Sequence, residues 1–242
     1  MTHSRDESLQ RRGEVADIPE TRFGNWFQST GVWGRYVLTA AFEELDRLLA
    51  RPGERFGCVL DVGSGHGLAL PLLAERFHPD VLICVDTDPA MIERARLASL
   101  SSPCRIDLRV ADARQLDLDD GSVDLALCHQ TLHHLRRQEQ ALSELHRVLR
   151  PSGVLLLAES CRPFIARPWV RLLFRHPMDV QRSADEFLAL LRAAGFDFGP
   201  KDIATPDPWW SRAPSVWPPI RRRPLLSHRP HSQLCVVATR PA

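Results

Sequence analysis

The sequence predicts an α/β fold, a parallel sheet covered by helices on both faces, and three observations carry that expectation. Strand-like apolar runs at 57–62, 81–86, 105–111, 122–128 and 153–159 alternate with helical patterns at about 67–77, 89–99 and 137–149. Each gap is long enough for a crossover helix, which parallel strands require and which winds right-handed. The first strand also breaks into glycines at every second position, Gly63-Ser64-Gly65-His66-Gly67, before a helical run begins.

In chain order, Met1 to Glu20 is polar and charged with no apolar stretch, and reads as a loosely ordered arm rather than a leader. Phe23 to Ala50 is aromatic at first, then carries Phe42, Leu45, Leu48 and Leu49 at helical spacing until Arg51-Pro52-Gly53 stops the helix. Val81-Leu82-Ile83-Cys84-Val85 and Val154-Leu155-Leu156-Leu157 are apolar on both faces, as strands buried from both sides must be. A helix at 184–194 ends at Gly195, followed by strands near 196–204 and 233–240. Pro206 to His231, rich in Pro, Trp and Arg, is too long for an ordinary hairpin loop. The division expected is an arm at 1–20 and a single domain at 21–242. Within the domain are N-terminal helices at 21–52, a core at 55–160, a substrate-side cap at 160–183 and an excursion at 206–231.

The bulk properties narrow the class. A chain of 242 residues suits one domain, and a net charge of +1 argues neither for nor against a polyanionic partner. The six cysteines show no C-x-x-C spacing and four of them lie in or beside apolar strands, so neither a disulfide framework nor a metal site is expected. No apolar run approaches the roughly 18–20 residues of a membrane span, and a cytoplasmic protein is the expectation.

The chemistry concentrates in Val59-Leu60-Asp61-Val62-Gly63-Ser64-Gly65-His66-Gly67. Glycines let main chain approach a nucleotide-like ligand, at the mouth of a helix. The acid ahead of them repels a pyrophosphate and suits a ligand with an amino group. Leu68 stands where a dinucleotide fingerprint requires its third glycine.

These residues resemble the first motif of class I S-adenosylmethionine (SAM)-dependent methyltransferases, within their ubiquinone/menaquinone-type small-molecule branch. Further matches in position are Ile83-Cys84-Val85-Asp86-Thr87-Asp88-Pro89-Ala90-Met91, Arg109-Val110-Ala111-Asp112-Ala113, Val123 to His129, and Glu144 to Gly153. The resemblance covers about 55–160, and 185–204 more loosely. It implies a Rossmann-like fold, a seven-stranded mixed sheet whose last strand is antiparallel, with SAM as cofactor. It also implies SAM contacts at Asp61, Gly63, Ser64, Gly65, Asp86, Thr87, Met91, Asp112, Ala113 and Cys128. Asp61 would attract the ammonium, and Asp86 would accept from both ribose hydroxyls. Asp112 would accept from the adenine amine, with Met91 and Ala113 against the ring.

SAM is already activated, so such a protein chiefly positions and excludes water, and a base matters only for acidic acceptor groups. His129, at the end of the fourth strand, and His134 are the candidate catalytic residues; His134 is read mainly as a prop for the next helix, and His133 as a solvated neighbour. Cys128-His129-Gln130-Thr131 lacks the Pro-Pro motif of nucleic-acid amino methyltransferases.

Acceptor recognition falls to the regions outside the motifs. Trp26-Phe27, Trp33 and Arg35-Tyr36 are expected to fold over the cofactor, with Arg35 reaching its carboxylate, or to form a plain amphipathic helix on the sheet. Phe164, Trp169, Leu172, Leu173 and Phe174, with Arg162, Arg167, Arg171 and Arg175, read as an acceptor cap suited to an anion, a solvated arginine face, or a helix on a membrane surface. Trp209-Trp210, Trp217 and Arg221-Arg222-Arg223 read as a lid, an aromatic or RNA contact, or a plain excursion. The expected function is O-, C- or N-methylation of a small molecule, aromatic or anionic in character, and not of nucleic acid. The alternatives are RNA or protein methylation through a basic 160–231 surface, and a SAM-binding regulator without turnover.

Overall fold

The computed structural model describes residues 20–208 and 231–242. The order of elements is α1 (Arg22–Gln28), a helical run of Gly31–Trp33, π-helical Gly34–Thr39 and α2 (Ala40–Leu49), then β1 (Cys58–Val62), α3 (Leu70–Phe77), β2 (Val81–Asp86), α4 (Pro89–Ala98) and β3 (Arg105–Val110). There follow β4 (Val123–His129), α5 (Gln138–Val148), β5 (Leu149–Ser160), α6 (Arg162–Ile165), α7 (Pro168–Leu173), α8 (Ala184–Ala193), β6 (Ile203–Ala204) and β7 (Gln233–Thr239).

The seven strands lie in the order β3-β2-β1-β4-β5-β7-β6. All pairs from β3 to β5 are parallel, and β7 is antiparallel to both β5 and β6. The mixed sheet with an antiparallel last strand is therefore as expected.

Side chains alternate between the two faces of a strand, and here both faces are apolar. Leu60, Ala126 and Leu155 pack with Leu142, Leu145 and Phe187 of α5 and α8. Their chain neighbours Val59, Leu125 and Leu156 pack with Phe42, Leu45, Leu73 and Phe77 of α2 and α3 on the other face. After β1 the chain moves outward to β2 and β3, then returns to lay β4 on the other side of β1. That reversal leaves a crevice beyond the carboxyl ends of β1 and β4, where open α/β sheets bind ligands.

Some boundaries differ from expectation. The helix expected from about 67 begins at Leu70, because Gly67 turns with φ +73°. The strand expected at 196–204 shrinks to Ile203–Ala204, with only an isolated bridge from Asp197 to Thr239 ahead of it. The turn at Gly195 and the short helix Pro200–Asp202 interrupt extended pairing there. All six cysteines are unbridged. Among the described residues no helix is long and apolar enough to cross a membrane. The N-terminal arm through residue 19 and Trp209-Trp210, Trp217 and Arg221-Arg222-Arg223 lie outside the described residues.

Candidate cofactor and acceptor site

The glycine turn is held from beneath by its neighbour strand: the amides of Gly63 and Ser64 both donate to the Val85 carbonyl, at 2.9 and 3.0 Å. Gly63 has φ +71°, and a Cβ there would overlap the Thr131 side chain. At Gly67 (φ +73°) a Cβ would lie 2.8 Å from Ala95 Cα, so glycine is what lets α4 approach the turn. Asp86, ending β2, closes the arrangement. Its Oδ2 accepts from the Gly65 amide and its Oδ1 from the Asp88 amide, each at 2.9 Å. Burial nevertheless raises the Asp86 carboxyl above its ordinary range, despite these amides.

Three cavities meet at Gln28 and Gln130, and two of them border this turn. The largest, 390 Å³, runs over the ends of β1 and β2 and is lined by Gly63, Gly65, Asp86, Thr87, Met91 and Ala113. These six belong to the set that the motifs pointed to. A smaller hollow of 80 Å³ lies behind the turn against Asp61, Ser64, Gly65 and His129. Here Asp61 Oδ2, Ser64 Oγ and His129 Nε2 are all buried without a hydrogen-bond partner. Buried polar atoms are normally satisfied, so three orphans around one hollow fit a polar guest offering both donors and acceptors. Burial, reinforced by the Asp86 charge, raises Asp61 to about 7. Burial lowers His129 to about 4, which keeps its ring neutral.

Three residues singled out from sequence, Cys128, Asp112 and Arg35, do not line these cavities, and His133 lines one of them but not as a solvated side chain. Cys128 is wholly buried in the core beside Leu60 and Val62. Asp112 turns its carboxylate to Arg114, whose Nη2 lies 2.6 Å from Oδ2, and that guanidinium holds the carboxyl below its usual range against the opposing effect of burial. Arg35 lays its guanidinium over the Tyr36 ring. His133, expected to be solvated, is 3% exposed and gives its Nδ1 to Glu159 Oε2 at 2.6 Å. The reason is Glu159, a fully buried acid on β5 whose Oε1 also accepts the amides of Thr131 and Leu132 at 2.9 and 2.7 Å, drawing the turn after β4 inward.

The third cavity, 310 Å³, is walled by aromatic rings. Phe27 meets Trp33 edge-on at 5.8 Å and Phe174 at 5.9 Å, and Phe164 meets Trp169 at 5.5 Å. Thr21 Oγ1 donates to the Leu173 carbonyl at 2.6 Å and Glu20 Oε1 accepts from the Arg175 amide at 3.0 Å, so the N-terminal segment and the 160–183 cap close over the cavity together. None of Arg162, Arg167, Arg171 and Arg175 lines it. Arg162 pairs with Glu186 and Arg167 lies over Phe164. His133, His134 and His176 line the same cavity, and Glu20, Gln28, Gln130 and His134 line both it and the 390 Å³ cavity.

Sequence reasoning missed Glu20, Gln130, Glu159 and His176. Gln130 carries a signal only in three dimensions, its φ of +53° just after β4. An acid closing the apolar run of β5 was the one readable hint of Glu159.

Residues 60–157 match the family model described as a methyltransferase domain. The chain is 29% identical over 178 residues to a malonyl-[acyl-carrier protein] O-methyltransferase of Marinomonas, covering 71% of this chain and 65% of that one. It is 34% identical over 144 residues to the tRNA 5-carboxymethoxyuridine methyltransferase of Escherichia coli, covering 58% and 54%. The chain spans 32%, 65% and 35% of the lengths of three such curated relatives. In fold it resembles a Haloferax volcanii methyltransferase solved with the Trm112 activator, with TM-score 0.65 and 18% identity over 95% of this chain and all of that one.

Proposed function

We propose that this chain, which belongs to the class I SAM-dependent methyltransferases, transfers the methyl group of SAM to a small, largely apolar aromatic molecule held in the 310 Å³ cavity. The observation that carries this reading is the wall that the two large cavities have in common, at Gln28, Gln130 and His134. A donor on one side and an acceptor on the other would then be in reach of each other without crossing bulk water.

When bound, SAM supplies a methyl on a sulfonium, which leaves a neutral thioether behind. The chain's part is positional. Asp61 Oδ2, orphaned in the 80 Å³ hollow, answers an ammonium, and the Ser64 hydroxyl answers the carboxylate beside it. Asp86 offers two anionic acceptors to a ribose diol, and Met91 and Ala113 offer apolar faces to adenine. Thr87 borders the same cavity. Asp112, already paired with Arg114, has only its remaining lone pairs for an exocyclic amine. Cys128 supports the floor from the core rather than by contact.

His129 then belongs with the polar end of the donor, beside Asp61, and not with the methyl-transfer line. His134 faces both large cavities, but burial and the neighbouring imidazoles push it well below its ordinary value. A base so weak gives little drive for removing a proton near neutral pH. The aromatic walls exclude water and orient a flat acceptor, and the outward arginines leave the anionic expectation without a partner on the cavity wall.

Calorimetry with SAM tests the donor half, and tritiated-methyl transfer to a panel of hydroxylated aromatics tests the acceptor half. Transfer only into RNA or protein fractions would overturn the small-molecule reading. The E. coli relative acts on tRNA by name, which keeps an RNA acceptor as the second reading, visible as salt-sensitive RNA binding. SAM retained with no turnover on any fraction would favour the non-catalytic alternative.

A further inference from the structure

The aromatic cavity has an unusual floor. His133 and His134 project from the short helix Leu132–His134 after β4, and His176 arrives from the segment beyond α7. One ring nitrogen from each lies within 4.8 Å of the other two. Their ring centroids are 4.2, 5.1 and 5.0 Å apart. We propose that His133, His134 and His176 form a binding site for a divalent transition metal ion such as zinc, with its open coordination position facing the aromatic cavity.

Three features support a ligand set over a packing cluster. The first is tautomer control. Glu159 takes His133 Nδ1 at 2.6 Å, which leaves Nε2 as the ligating atom, the carboxylate–histidine arrangement that orients metal ligands from behind. The second is an unmet need: His176 Nδ1 is buried with no hydrogen-bond partner, on the wall of this cavity.

The third is preorganisation. Gln181 Nε2 donates to the His133 and Pro177 carbonyls at 2.8 and 2.9 Å. Gln138 Nε2 donates to those of Leu132 and Val180 at 3.0 and 3.1 Å. Two buried amides thus clamp the strand of chain bearing His176 onto the turn bearing the other two.

Three histidines with a fourth position open is a zinc arrangement that binds and polarises an oxygen ligand. The open position faces the cavity where the acceptor is read to sit, and His134 also borders the 390 Å³ cavity. The ligand class it would take is a phenolate, catecholate or enolate oxygen; this choice rests on the acceptor reading, whereas the metal site does not. The metal would act as a Lewis acid, lowering the pKa of a hydroxyl bound at the open position. The earlier expectation of no metal came from the cysteines, and sequence spacing could not show that His176 joins the pair.

The test is zinc titration of the full chain by calorimetry, with cobalt(II) substitution read by its visible absorption. One equivalent of zinc should bind, and cobalt should give the intense bands of a four-coordinate nitrogen and oxygen site. His176→Ala should weaken zinc binding at least tenfold, and Glu159→Gln by ~10–100-fold as an outer partner of a ligand. SAM affinity measured in the same samples reports whether each variant is folded and checks the donor cavity separately. Zinc uptake that is absent, or unchanged in His176→Ala with SAM binding intact, overturns the site. Intact zinc binding with no SAM binding would instead overturn the donor reading alone.

Discussion

Glu159 reaches from the end of β5 to His133 at 2.6 Å, and the same carboxylate gathers the amides of Thr131 and Leu132. One buried acid thereby sets the course of the turn that borders every cavity at the site. Glu159→Ala strands an imidazole and two amides, and should cost about 1–3 kcal/mol for each buried group left without a partner. Glu159→Gln keeps the shape and an acceptor, and should cost about 1–3 kcal/mol. Chemical denaturation of the two variants against the parent would read both values; equal stabilities would remove Glu159 from this role.

The glycine turn should tolerate no Cβ at two positions. Gly67→Ala meets Ala95 Cα at 2.8 Å with φ +73°, and Gly63→Ala meets Thr131. Each should lose more than ~1 kcal/mol, since strain in the left-handed region adds to overlap. Thr131→Ala should restore part of the Gly63→Ala loss and none of the Gly67→Ala loss, as thermal melts of the double variants would show.

SAM binding should depend on pH through Asp61. The folded carboxyl holds its proton up to about 7, where an ordinary aspartate releases it near 3.8. An ammonium guest needs the ionised form, so affinity should rise between ~pH 6 and ~pH 8 and then level off. The same shift has an opposite effect on the unliganded protein. Its folded state binds the extra proton between about pH 3.8 and about pH 7, so Asp61 makes it less stable as pH rises across that window. Asp61→Asn should flatten both dependences, measured by calorimetry and by melts across pH.

Asp86→Ala should weaken SAM at least tenfold, on the order of one charged hydrogen bond of about 1.5–3 kcal/mol. Unchanged affinity would remove Asp86 from the donor site.

Changes in the aromatic cavity should act on the acceptor alone. Phe174→Ala opens the wall that Phe27 and Phe164 share. It should raise the acceptor KM severalfold with SAM affinity unchanged, because the ring lines only the 310 Å³ cavity among the three. A matching loss of SAM affinity would mean that the two cavities are not separate functional spaces.

Much of this architecture is written locally. The strand of alternate glycines, the apolar runs of β2 and β5 and the helical spacing of Phe42, Leu45 and Leu48 each depend on neighbours within a few residues, so they were legible before any fold was known. Asp61, Gly63, Ser64, Gly65, Asp86, Thr87, Met91 and Ala113 were legible for the same reason, since strand ends deliver them to one crevice. Asp112 and Cys128 show the limit. A strand end places a residue near the crevice, but a salt bridge to Arg114 or burial in the core decides where its side chain goes.

The sequence by itself determined the sheet, the helix order and the residues that strand ends bring to the crevice, because periodicity and strand-end position are short-range properties of the chain. Only the tertiary structure decided how the aromatic cavity is assembled. Glu159 meets His133, His176 joins His133 and His134, and Glu20 binds the Arg175 amide, each across long stretches of intervening chain. No local pattern encodes such meetings. They follow from how the crossovers stack, and from the cost of leaving a buried polar group without a partner.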